Sequence, residues 1–110
     1  MVDVVAASAG GGQYLAVYEY DFPNGQVVAV GTTAAASTAF AAGNTVVTLT
    51  SSTNCWYRVN GTAAVHVAGS DYLLAGQKFA LKIPPAATIS VIQDTAAGYL
   101  AIMPVRQVPL

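Results

Sequence analysis

The sequence predicts an all-β protein, an antiparallel sandwich or barrel of seven to nine short strands. Three observations carry this reading. Aromatic and β-branched residues recur at period two in short runs along most of the 110-residue chain. Turn residues punctuate those runs about every 8–12 residues, the spacing of a sandwich or barrel. No stretch demands a helix of more than about two turns, well short of the average globular helix.

Taken in order, residues 1–12 end in Gly10-Gly11-Gly12, which would lose too much backbone entropy inside a regular element. They read as a hinge behind an arm. The arm's Val2, Val4 and Val5 favour contact with a neighbour over contact with water. Residues 14–20 alternate as a strand, with Tyr14, Tyr18 and Tyr20 on one face and Leu15, Val17 and Glu19 on the other. Pro23-Asn24-Gly25 is a turn, and residues 26–30 read as a returning strand, so the two runs are expected to form a hairpin. Residues 32–43 carry alanines that favour helix and a Gly43 placed to cap one, but Ser37, Thr38 and Phe40 fit an edge strand. A loop or edge strand is the expectation there.

Residues 45–50 are a strand with β-branched side chains on both faces. Residues 55–60 follow as another, with Cys55, Tyr57 and Val59 on one side and Trp56, Arg58 and Asn60 on the other. Asn60-Gly61 is a strong turn signal. Residues 63–68 read as a strand whose Val65 and Val67 oppose His66. Gly69-Ser70-Asp71 leads into Tyr72-Leu73-Leu74, and Gly76 turns the chain again. In residues 78–83, Phe79, Leu81 and Ile83 are expected to point inward, and Lys78 and Lys82 outward. Two lysines on one face discourage stray pairing if the strand lies at an edge. Pro84-Pro85 ends that strand. Residues 88–93 and 99–103 read as a hairpin across residues 94–98. The domain is thus expected over 13–104, with 105–110 a tail that Pro109 keeps out of any central strand.

Composition narrows the function classes. Charged residues make up 8% of the chain and hydrophobic ones 55%, where a soluble domain ordinarily devotes about a quarter to charge. That shortage implies a surface partly covered by another protein. Arg58, Lys78, Lys82 and Arg106 are scattered, with a net charge of −1, so nucleic acid is not an expected partner. The single cysteine, Cys55, allows no intrachain disulfide and reads as a buried thiol. His66 is the only histidine, too few for a metal set, and no metal or cofactor is expected. Glu19 and Asp21 share one side of an extended segment but read as a solvated strand end. A Cys55–His66 pair has the wrong parity and no orienting carboxylate. The expectation is therefore no enzyme. Trp56, Tyr57 and Tyr72 would suit a sugar platform, although strand aromatics more often fill cores and interfaces. The first residues lack the pattern of a secretory signal, and residues 34–42 are too short to span a bilayer. No membrane is expected, and synthesis in a cytoplasm is.

From Ser51 to Pro104 the chain resembles small virion proteins of tailed bacteriophages. The stretches that carry the likeness are Cys55-Trp56-Tyr57-Arg58-Val59-Asn60-Gly61, Asp71-Tyr72-Leu73-Leu74-Ala75-Gly76, Phe79-Ala80-Leu81-Lys82-Ile83-Pro84-Pro85, Ile89-Ser90-Val91-Ile92-Gln93-Asp94 and Ala97-Gly98-Tyr99-Leu100. The resemblance implies a jelly-roll-like β-sandwich that decorates or cements a capsid, or serves in the tail, and it brings no catalytic residues. It further implies a location on the virion surface after synthesis in the host cytoplasm, the major capsid protein as partner, and self-association as a dimer or trimer. The contact residues expected from exposed apolar character are Val2, Val4 and Val5 of the arm, Tyr14, Tyr18 and Tyr20 of the first strand, and Val105, Val108 and Leu110 of the tail.

Overall fold

The structure, a computed structural model, describes residues 16–109. It is all-β, with nine strands and no α-helix among those residues: β1 (Ala16–Tyr20), β2 (Gln26–Val30), β3 (Ala35–Ala36), β4 (Val46–Ser51), β5 (Cys55–Val59), β6 (Asp71–Leu73), β7 (Lys78–Lys82), β8 (Ile89–Gln93) and β9 (Gly98–Pro109). Every strand pairing is antiparallel. One sheet runs β1, β9, β4, β7, with β2 also on β9; the other runs β3, β8, β5, β6. The pairs β2–β9, β3–β8, β4–β7 and β5–β6 are nested one inside the next.

Period-two alternation explains how the sheets meet. In β4, Val47, Leu49 and Ser51 are buried while Val46, Thr48 and Thr50 are half-exposed. Val28 and Val30 of β2 and Leu100 and Ile102 of β9 line the same inner side. From the second sheet, Cys55, Tyr57, Leu73, Ile89 and Val91 face them. Phe40, Ile83 and Ala87 close the core from the connections. Interdigitated β-branched and leucine side chains of this kind are the main favourable term in folding a domain of this size.

β1 and β2 do not form the expected hairpin. Both pair with β9, β1 along Val105–Pro109 and β2 along Gly98–Ile102. They are two pieces of one edge, interrupted by a 3-10 turn at Phe22–Asn24. Asp21 anchors that turn: it is buried, accepts a hydrogen bond from Asn24 Nδ2 at 2.7 Å, and donates its N–H to the Pro104 carbonyl at 2.8 Å. It is not the solvated carboxylate the sequence implies.

Residues 105–109 are not a tail. They continue β9, the most connected strand of the fold. The prolines are tolerated because of where their polar groups face. The carbonyl of Pro104 points toward Asp21, between the end of β1 and the start of β2, so its missing N–H falls where neither strand needs a donor. At position 109 the polar groups face the opposite side, beyond the start of β4 at Val46, where no strand lies among the described residues.

Three further expectations change. Residues 94–98 do not close a hairpin but carry the chain from one sheet to the other. Residues 63–68 form turns instead of a strand, with His66 at φ 56 and Gly69 at φ 95. Phe79 lies on the inner side of β7 but is 41% exposed, because β7 ends its sheet and, among the described residues, nothing beyond it covers the ring. Residues 32–43 hold the short β3 and then a loop. That loop is tied down where Ser37 and Phe40 donate N–H groups to Ile89 and Ala87, and where the Gln26 amide hydrogen-bonds both backbone groups of Thr38.

Candidate docking face

The two outer faces of the sandwich differ in how they are covered. On the second sheet, Trp56 and Arg58 of β5, Tyr72 of β6, and Ser90 and Ile92 of β8 point outward by register. Residues 60–70 fold back over them. Buried Ala63 donates its N–H to Ser90 Oγ at 2.9 Å, and the His66 ring packs edge-on to Trp56 at 4.7 Å between centroids. Trp56 also meets Tyr72 at 5.0 Å. Asp94 ties this pair together, accepting from Trp56 Nε1 at 3.3 Å and from the Tyr72 hydroxyl at 3.2 Å. The loop thus closes much of that face with the chain's own residues.

The outer face of the first sheet has no such cover among the described residues. Its outward positions are Tyr18 and Tyr20 on β1, Val27 and Ala29 on β2, Val46, Thr48 and Thr50 on β4, Lys78, Ala80 and Lys82 on β7, and Tyr99, Ala101, Met103 and Val105 on β9. Val27 is 68% and Tyr99 63% exposed. A groove of about 430 Å³ crosses this face between Tyr18, Tyr20, Val105, Val46, Thr48, Ala80 and Lys78. Tyr20 reaches over β9 and β4: its hydroxyl accepts a hydrogen bond from Lys78 Nζ at 2.9 Å, with the ammonium 4.9 Å from the ring centroid. Its ring also leans on exposed Phe22, centroids 5.7 Å apart. Across the β1–β9 pair Arg106 meets Glu19 at 2.9 Å. Lys78 and Lys82 have no carboxylate partner among the described residues.

Of the contact residues expected from the sequence, the fold brings Tyr18, Tyr20 and Val105 into this one groove. Val108 pairs with Val17 in the same strand pair. Val2, Val4, Val5, Tyr14 and Leu110 lie outside the described residues. Sequence reading missed Val27 and Tyr99. β2 carries aliphatic residues at both parities, so only its pairing with β9 reveals that Val28 and Val30 turn inward and Val27 outward.

The groups considered for chemistry are kept apart. Cys55 faces the core and is fully buried, and burial pushes its thiol pKa up against a smaller opposing hydrogen bond from Ser51. His66 lies over the opposite face of the same sheet, so the two form no dyad. Tyr57 is on the inner side, away from Trp56 and Tyr72; burial, and then the neighbouring Asp71 carboxylate, push its hydroxyl up to about 12. No group of three His, Cys, Asp or Glu placed to hold a metal occurs among the described residues. No helix there is long and apolar enough to cross a membrane. No family model, curated protein or solved structure matches the chain.

Proposed function

We propose that this chain is a structural virion protein of a tailed bacteriophage, a decoration or cement protein that binds and stabilises the assembled head. The observation that carries the proposal is the asymmetry of the sandwich. One outer face is largely covered by residues 60–70, while the other presents Val27, Tyr99, Tyr20 and a mostly apolar groove. A face rich in aromatic and aliphatic residues and poor in charge has the composition of an interface core. The nested strand pairs support a jelly-roll-like winding, the architecture the sequence resemblance implies. In this reading the partner is the major capsid protein, the chain self-associates as a dimer or trimer, and its place is the capsid surface. Binding only the assembled shell stabilises it by mass action, and many copies on one lattice make modest individual contacts sufficient.

The test is co-sedimentation of the purified chain with assembled phage shells, together with low-resolution imaging of particles with and without it. Density is expected on the head, lost on Tyr99→Glu and weakened by deletion of residues 1–12. Density on the tail, or none, sinks the proposal. A tail or fibre component that contacts the host surface is the competing reading. The Trp56, Tyr72 and Asp94 cluster favours it, since paired aromatics beside a carboxylate suit sugar stacking and hydrogen bonding. Glycan-array binding that disappears on Trp56→Ala would select that alternative.

A further inference from the structure

We infer that the free edge of β7 is a docking strand for an extended acidic segment of a partner protein, one in which carboxylates alternate with apolar residues. β7 is the last strand of its sheet. Ile83 donates its N–H to Thr45 at 2.8 Å, so by alternation the polar backbone groups of residues 79 and 81 face β4. Those of Lys78, Ala80 and Lys82 face outward and have no strand to pair with among the described residues. An open ladder of this kind accepts an added strand through main-chain hydrogen bonds, with side-chain pockets setting specificity.

The side chains on the two faces of β7 state what that strand must carry. Lys78 and Lys82 stand four residues apart on the outer face, exposed and without carboxylate partners among the described residues. The other two cations are engaged elsewhere: Arg106 pairs with Glu19, and Arg58 lies under Gly61 and Gly69. Tyr20 holds the Lys78 ammonium on the outer face. On the inner face Phe79 is a core-directed ring left 41% exposed, with Leu81 half-buried behind it. A strand laid along β7 would set carboxylates beside the lysines and apolar side chains over Phe79. Cross-strand pairs of opposite charge, and of aromatic with aliphatic side chains, are both favourable. Two copies of β7 paired antiparallel about Ala80 would instead set Lys78 against Lys82 twice, which is unfavourable. The lysines therefore reject self-pairing at this edge while selecting an acidic partner, whether or not the chain decorates a shell.

The experiment titrates the isotope-labelled protein with a short capped peptide of alternating valine and glutamate, and with its valine–lysine counterpart. Backbone amide shifts and hydrogen exchange are the readouts. The acidic peptide is expected to shift and protect the amides of Lys78, Ala80 and Lys82, more weakly as salt rises, and the basic peptide to do neither. Changing Lys78→Glu and Lys82→Glu together should weaken the acidic peptide about tenfold, each exposed ion pair accounting for a factor of about three to five, and should admit the basic one. Ala80→Pro removes an outward donor without touching the ladder to β4 and should abolish binding. If charge reversal perturbs folding, Lys78→Gln with Lys82→Gln replaces it, and loss of the acidic preference is expected. Equal response to both peptides, binding unaffected by Ala80→Pro, or no response at these amides overturns the inference. So does protection of the same amides that grows with protein concentration alone, because a second copy would then be the occupant.

Discussion

Val27 and Val28 are adjacent in sequence and opposite in fate, and exchanging each for threonine separates the two sides of the first sheet. The substitution keeps the shape and replaces one methyl group with a hydroxyl. Val28 is 6% exposed, among Val30, Leu100 and the inner face of the second sheet. A hydroxyl left there without a partner costs about 2 kcal/mol, which in a domain of this size lowers Tm by roughly 8 °C. Val27 is 68% exposed, so Val27→Thr should change stability by less than about 0.5 kcal/mol. Its effect should appear on binding instead. A partner covering this face would withdraw from water about two-thirds of the valine side chain, so the polar replacement should weaken binding by roughly 1 kcal/mol, or fivefold in affinity. Thermal unfolding followed by near-UV circular dichroism measures the first effect, and co-sedimentation with shells the second. Equal destabilisation by the two variants would refute the reasoning, and so would the reverse order, which is what a one-residue slip of β2 would give by exchanging the faces.

Three other outcomes follow from local structure. Tyr57 is protonated more tightly when folded, its pKa raised from 10.0 to about 12. Its contribution is therefore complete below pH 10 and lost as pH rises toward 12, and a pH series of denaturant melts should show Tyr57→Phe flattening the decline over that window. Gly98→Ala would set a Cβ 2.5 Å from Ser52 Oγ and 2.8 Å from a Thr53 methyl; a loss of about 1–3 kcal/mol is expected from urea midpoints. Cys55, buried and with a raised pKa, should react with a thiol reagent only at the rate of unfolding, read by absorbance with and without denaturant.

The fold class and the positions of most strands were legible in the sequence because alternation and turn residues are local signals. Pairing was not. Residues 14–20 and 26–30, separated by a good turn, look like a hairpin, and nothing local reveals that both edges belong to β9. The prolines at 104 and 109 read as strand breakers, because the side to which their missing donors point is set by neighbours at the far end of the chain. Residues 63–68 alternate like a strand, but His66 takes a positive φ and the segment serves as a cover. The tyrosine and Val105 parts of the candidate site were legible as apolar residues without an obvious core role. Val27 and Tyr99 were not, because outwardness in an aliphatic strand is a property of register.

The central place of β9 has a consequence for synthesis. Its twelve residues separate β1 and β2 from β4, so the first sheet has no middle until the segment from Gly98 onward has emerged from the ribosome. Until then the nascent chain must carry β1 and β2 without the strand they pair with, a state prone to misassociation. The first sheet should then close in the cell only once β9 is available, and a ribosome stalled before position 98 should leave β1 and β2 protease-sensitive.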